Sequence, residues 1–147
     1  MKGESIGMPR FSNASNARLD TCHEDLQDLF REVVKYFDCT IVEGHRNSTR
    51  QADLYAQGRT RAGNIVTYKD GVSKRSKHQT SPSIAVDVVP YPVDWSNSER
   101  FHELAGWVQA FALGMNVRVK WGGHWSRFRD LPHWELENET LENPETG

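Results

Sequence analysis

The chain has 147 residues, 37% hydrophobic and 26% charged, which suits one compact globular domain and is short for two. Eighteen basic residues against 20 acidic ones leave a formal charge of −2, so no overall field draws the chain to nucleic acid or to an anionic membrane. No apolar run approaches a membrane span, and no apolar core follows Lys2, so no secretory signal and a cytoplasmic site of synthesis are expected.

Residues 1–18 are rich in Ser, Asn and Gly and predict a flexible, extended arm. Thr21 stands three residues before Glu24, a capping-box spacing. Leu26, Leu29, Phe30, Val33 and Phe37 then recur at helical intervals, predicting an amphipathic helix to about Tyr36. The run CTIVE (39–43) reads as a strand ended by Gly44. A second helix is expected from Ser48, with Gln51 as its box partner, stopping before Gly58. Arg59–Lys77 is basic and without period, which predicts a long surface loop; such loops in small domains usually carry function. Ile84–Val89 is a β-rich run interrupted by Asp87 and closed by Pro90 and Pro92.

A third helix is expected over Ser98–Leu113 with Gly114 as its stop, followed by strands at Val117–Trp121 and His133–Leu136. The tail 137–147 is acidic and expected to fray. Helices and short strands without βαβ alternation make this an α+β domain over 19–136, a short antiparallel sheet flanked by helices. Cys22 and Cys39, the two cysteines of the chain, are expected to be reduced, packed thiols.

The chemistry-bearing residues cluster around the strands. His78 precedes the run that contains Asp87. A carboxylate inside an apolar strand is expensive unless it is paired or metal-bound, so Asp87 is either a strand-edge acceptor or a ligand. His133 opens the last strand. Two imidazoles and one carboxylate, with a fourth position open, are the donor set of a catalytic zinc site. Asp130, three residues before His133, is placed either to act as a general base or to cap a turn. Arg46, just past Gly44, is either an oxyanion partner or a solvated surface arginine.

Three segments, EGHRNSTRQADLYAQGRT, SKHQTSPSIAVDVVPYPVDW and KWGGHWSRFRDLPHWEL, carry S-x-H, A-x-D and D-x-x-H motifs in order. Over about Pro9–Leu136 the chain resembles the VanY-type zinc peptidases, closest to the single-domain phage endolysin branch. That family holds D-alanyl-D-alanine carboxypeptidases and endolysins that cut the L-alanyl-D-glutamate bond. The resemblance implies one zinc ion on His78, Asp87 and His133, Asp130 as base, Arg46 steadying the tetrahedral intermediate, and Ser76 supporting the first ligand. The chain departs from the commonest pattern where Thr80-Ser81-Pro82-Ser83 lengthens the gap between His78 and Asp87. It departs again at His124, where many relatives carry an acid, so His124 is expected to be a polar contact rather than a ligand. Trp121 and Trp125 are candidates for a substrate wall, and His45 for the cleft lining.

The implied function is a zinc metallopeptidase that hydrolyses the peptidoglycan stem peptide at the L-alanyl-D-glutamate bond. It would work as a monomer, without nucleic acid or membrane insertion, and reach the wall through a separate pore-forming protein. A D-alanyl-D-alanine carboxypeptidase with the same site is the alternative enzyme. A non-catalytic wall-binding or virion module would need neither Asp130 nor Arg46. A nucleic-acid domain built on Arg59–Lys77 is opposed by Asp70 and the slightly acidic chain.

Overall fold

Ser12 accepts a hydrogen bond from the Ser15 amide and caps helix α1 (Asn13–Leu19). The computed structural model describes residues 8–137. The arm expected over 1–18 is therefore helical over its last six residues; its first seven, and the tail beyond 137, lie outside the described residues. Polar composition misled there because the anchors of α1 are tertiary. Ser15 and Leu19 are fully buried, Ser15 Oγ accepts from the Ile41 amide, and Arg18 donates to the Ile41 carbonyl.

Helix α2 (Glu24–Tyr36) buries Leu26, Leu29, Phe30, Val33 and Val34, the face its periodicity predicts. Its cap is His23, whose Nδ1 accepts from the Asp25 amide, and not Thr21. The Thr21 hydroxyl is already committed, donating to the Arg18 carbonyl and accepting from the His45 amide. Helix α3 (Ser48–Ala56) is capped by Asn47, and Gln51 is no box partner but a wholly buried side chain. Helix α4 (Ser98–Met115) runs through Gly114 and stops at Asn116, whose φ of 60° supplies the left-handed cap expected of the glycine.

Four strands, β1 (Cys39–Glu43), β2 (Ala85–Pro90), β3 (Val119–Trp121) and β4 (His133–Leu136), form one antiparallel sheet in the order β1-β2-β4-β3. Strand β3 starts two residues later than expected because the Val117 amide is taken by the Ala112 carbonyl at the end of α4. Strand alternation sends Val86, Val88, Trp134 and Leu136 into the core beneath α2 and α4. Their neighbours Asp87, His133 and Glu135 face the other way. The register sets Asp87 opposite both Glu43 and His133, so two independent strand pairings converge on one carboxylate.

The segment between α3 and β2 is a long loop, as expected, and it is tied down from both ends. Asp70 accepts the amides of Val72, Ser73 and Lys74, while the Gln51 amide group donates to the Lys69 carbonyl and that of Gln79 to the Gly71 carbonyl. The lengthened segment Thr80–Ser83 after His78 is absorbed beside the α1–α2 turn: Ser83 exchanges backbone bonds with Thr21 and His23. Both cysteines are buried free thiols, and burial pushes the Cys22 thiol up to about 12, which leaves it unreactive. Among the described residues no helix is long and apolar enough to cross a membrane.

Candidate active site

His78 is oriented from three sides. It lies in a 3-10 turn (Lys77–Gln79) capped by Ser76, whose Oγ accepts the His78 amide, while the Gln79 side chain returns to the Ser76 amide at 2.8 Å. The support expected of Ser76 is thus a cap that sets the backbone of His78. His78 Nδ1 lies 2.8 Å from the Gly44 carbonyl. A carbonyl only accepts, so Nδ1 carries the proton and Nε2 is left as a lone pair. Gly44 has to be glycine, since a Cβ there would strike the Arg18 carbonyl.

Asp87 and His133 meet that lone pair through the β2–β4 register. Asp87 Oδ1 is 3.3 Å from His78 Nε2 and 3.3 Å from His133 Nδ1, and the two imidazoles stand edge to face at 5.3 Å. His78 Nε2 and Asp87 Oδ1 are buried without a hydrogen-bond partner, an arrangement that costs stability unless something positive completes it. One donor atom from each of the three residues lies within 4.8 Å of the others. Two nitrogens and one carboxylate oxygen converge, with His78 Nε2 and Asp87 Oδ1 unpartnered, and they fit a divalent metal ion such as zinc. Burial alone would raise Asp87, but the close approach of His78 and His133 holds it well below the usual carboxylate range. Burial would lower His133, yet Asp87 and Glu135 together lift it to about 10.

Asp130 hangs over this floor. Its amide donates to the Gly122 carbonyl at 3.0 Å and its carbonyl accepts the His133 amide at 3.1 Å, a turn that places acid and ligand side by side. Gly122 has no room for a Cβ against the Asp130 carbonyl. Burial first, and the negative charge of Asp87 second, push the Asp130 carboxyl up to about 6, against the opposing influence of His133 and Arg46. Arg46 is buried, not solvated: Nη1 donates to Gln51 at 2.8 Å and Nη2 to Glu43 at 3.2 Å, and Nη2 lies 3.5 Å from Asp87 Oδ2. Its Nε has no partner. All five residues line one cleft of about 360 Å³, walled by Arg50, Leu54, Val66, Trp95 and Trp125.

The aromatic expectations divide. Trp125 lines the cleft and packs on His133 at 5.0 Å. Trp121 is core, stacked on Trp134 at 5.7 Å and donating to the Leu131 carbonyl, so it is no substrate wall. His124 is exposed, lies edge-on to Trp121 at 4.9 Å and is not among the cleft-lining residues. His45 is exposed and bonded to the Thr80 carbonyl, also outside the lining. Sequence reasoning missed Glu43 and Trp95 in this cleft, and Gln51 and Glu135 behind it. Only Glu135 carried a signal, standing two residues from His133 in a strand and hence on the same face.

Fold and site together define a small α+β domain with a candidate metal centre on the outer face of a four-stranded antiparallel sheet. The chain belongs to the family of phage L-alanyl-D-glutamate peptidases, which it matches over residues 8–146. This agrees with the VanY-type resemblance of its motifs. It is 32% identical over 104 residues to the peptidoglycan L-alanyl-D-glutamate endopeptidase CwlK of Bacillus subtilis. That match covers 69% of this chain and 62% of the relative, so the chain spans less than two thirds of that protein's length. The crystal structure of the L-Ala D-Glu endopeptidase ChiX of Serratia marcescens superposes with a TM-score of 0.66 at 26% identity, covering 90% of this chain and 93% of the other.

Proposed function

We propose that this chain is a zinc-dependent endopeptidase that hydrolyses the L-alanyl-D-glutamate bond of peptidoglycan stem peptides. The observation that carries the reading is the pair of buried, unpartnered donor atoms, His78 Nε2 and Asp87 Oδ1, converging with His133 Nδ1 on the floor of an open cleft. A purely structural polar cluster would satisfy those atoms internally. Family membership supports the choice of bond.

In this reading His78, Asp87 and His133 hold the ion. Bound zinc supplies Lewis-acid polarisation of the scissile carbonyl and lowers the pKa of water beside it. Asp130 is the base. Its carboxyl, lifted to about 6, is ionised at neutral pH yet basic enough to accept a proton from the attacking water and return it to the leaving amine. Arg46 places fixed positive charge at the cleft wall, where the tetrahedral oxygen becomes negative. Its anchoring by Gln51 and Glu43 means that little reorganisation is needed as that charge develops. Trp125 and Trp95 offer flat apolar surface to the substrate backbone.

The test is a digest of purified cell wall analysed by mass spectrometry, with and without a chelator. New N-terminal glutamate and freed L-alanine carboxyl ends that vanish on chelation are expected. Release of D-alanine alone would replace this reading with a carboxypeptidase, and an unaltered wall would reject a peptidase altogether.

A further inference from the structure

Glu135 supplies no donor to the candidate metal centre, yet one carboxylate joins two of the segments that do. Its Oε1 lies 2.8 Å from His133 Nε2, and its Oε2 accepts from Lys77 Nζ at 2.9 Å. The side chains of Lys77 and Glu135 are 12% and 4% exposed, so this is a buried ion pair. Lys77 immediately precedes His78 in the 3-10 turn. Glu135 itself is held in mid-sheet, paired with Ala85 on one side and Lys120 on the other.

We propose that Glu135, locked by Lys77, is a positioning residue that determines which nitrogen of His133 faces the metal. A carboxylate can only accept, so His133 Nε2 must bear a proton and Nδ1 is directed into the cleft, 3.3 Å from Asp87 Oδ1. Without Glu135, His133 has a competing arrangement in which its proton sits on Nδ1 and bonds Asp87, closing the donor cluster against a cation. Lys77 matters for a separate reason. A buried carboxylate facing only an imidazole would be under-compensated and would turn toward solvent, whereas an ammonium on its second oxygen keeps it aimed. The same salt bridge couples the turn carrying His78 to the strand carrying His133, so the spacing of the two histidine ligands is set from behind.

The inference rests on the metal reading above, and its test reads zinc affinity rather than hydrolysis. The zinc Kd of the full chain is measured by competition with a chromogenic chelator, with circular dichroism of the metal-free proteins recorded alongside. Glu135→Ala should weaken zinc binding about 10–100-fold with the fold retained. Glu135→Gln should fall between that variant and wild type, because its carbonyl still accepts from Nε2–H while its amide cannot serve Lys77. Lys77→Met should weaken binding by less than Glu135→Ala. Should the alanine variant fail to fold, the near-isosteric glutamine variant decides. Zinc affinities within twofold of wild type in both Glu135 variants would overturn the proposal alone. A wild-type chain that takes up no zinc would overturn the metal reading and this proposal with it.

Discussion

The two faces of the sheet are made from the same strands and obey opposite rules. On the inner face Val86, Val88, Trp134 and Leu136 pack beneath α2 and α4, and each is 2% exposed or less. On the outer face, one residue away in each strand, Asp87, His133 and Glu135 are likewise sheltered from water but polar. Apolar burial stabilises the first face directly. The second is a cost that the fold carries, offset only in part by Arg46 and Lys77 and left open at His78 Nε2 and Asp87 Oδ1. The difference teaches that stability and chemistry are separated here by the period of a strand, so neighbouring substitutions should fail in different ways.

The largest contrast is between His133 and Trp134. His133→Ala should strip the metal and reduce hydrolysis below detection, as should alanine at His78 or Asp87, with metal content read by elemental analysis. Trp134→Ala should instead cost about 3–5 kcal/mol of folding stability in urea titrations. Full zinc occupancy in His133→Ala would remove it from the ligand set.

Asp130 sharpens the comparison, because it should trade stability for activity. Asp130→Asn should keep zinc and lower turnover by roughly two to four orders of magnitude. Its carboxyl is raised in the fold from 3.8 to about 6, so the native state holds the proton more tightly than the unfolded chain. Stability of the metal-free protein therefore falls as pH rises from about 4 to 6. The asparagine variant should accordingly be more stable than wild type above pH 6 and no more stable below pH 4. A bound cation opposes that rise, so the acid limb of turnover in the loaded enzyme should lie at or below about pH 6. An unchanged pH profile in Asp130→Asn would demote this acid to a turn residue.

Arg46 comes next. Arg46→Ala should raise the barrier by about 2.7–4 kcal/mol, with lysine rescuing only part. From sequence alone zinc content is expected to stay unchanged. The 3.5 Å approach of Nη2 to Asp87 adds a second consequence, a measurable loss of zinc affinity, because the ligand loses the group that holds its other oxygen. A rise confined to KM would assign Arg46 to ground-state binding instead. The smallest effects belong to His45→Ala and His124→Ala, which lie outside the cleft lining and should leave kcat/KM within about twofold of wild type. A tenfold fall in either would extend the site beyond the described cleft.

Much of this was legible in the residues themselves. Strand and helix periods placed α2, α4 and the core strands, the three ordered motifs marked His78, Asp87, Asp130 and His133, and the position just past Gly44 marked Arg46; all five line one cleft. These signals are local, carried by spacing along the chain. What sequence left undecided depended on partners distant in the chain. Helix α1 forms because Ser15 and Arg18 bond β1, Gln51 is buried because Arg46 and the loop at 67–69 need its amide, and Trp121 belongs to the core because β3 pairs it with Trp134. Glu135 is the clearest instance. Its position two residues after His133 is plain in the sequence, but only the pairing of β4 between β2 and β3, and the return of Lys77 from 58 residues away, turn an ordinary strand glutamate into a buried acceptor behind a candidate ligand. Backbone pattern sets which face a side chain takes; which charge waits on that face is decided by the long-range register of the sheet.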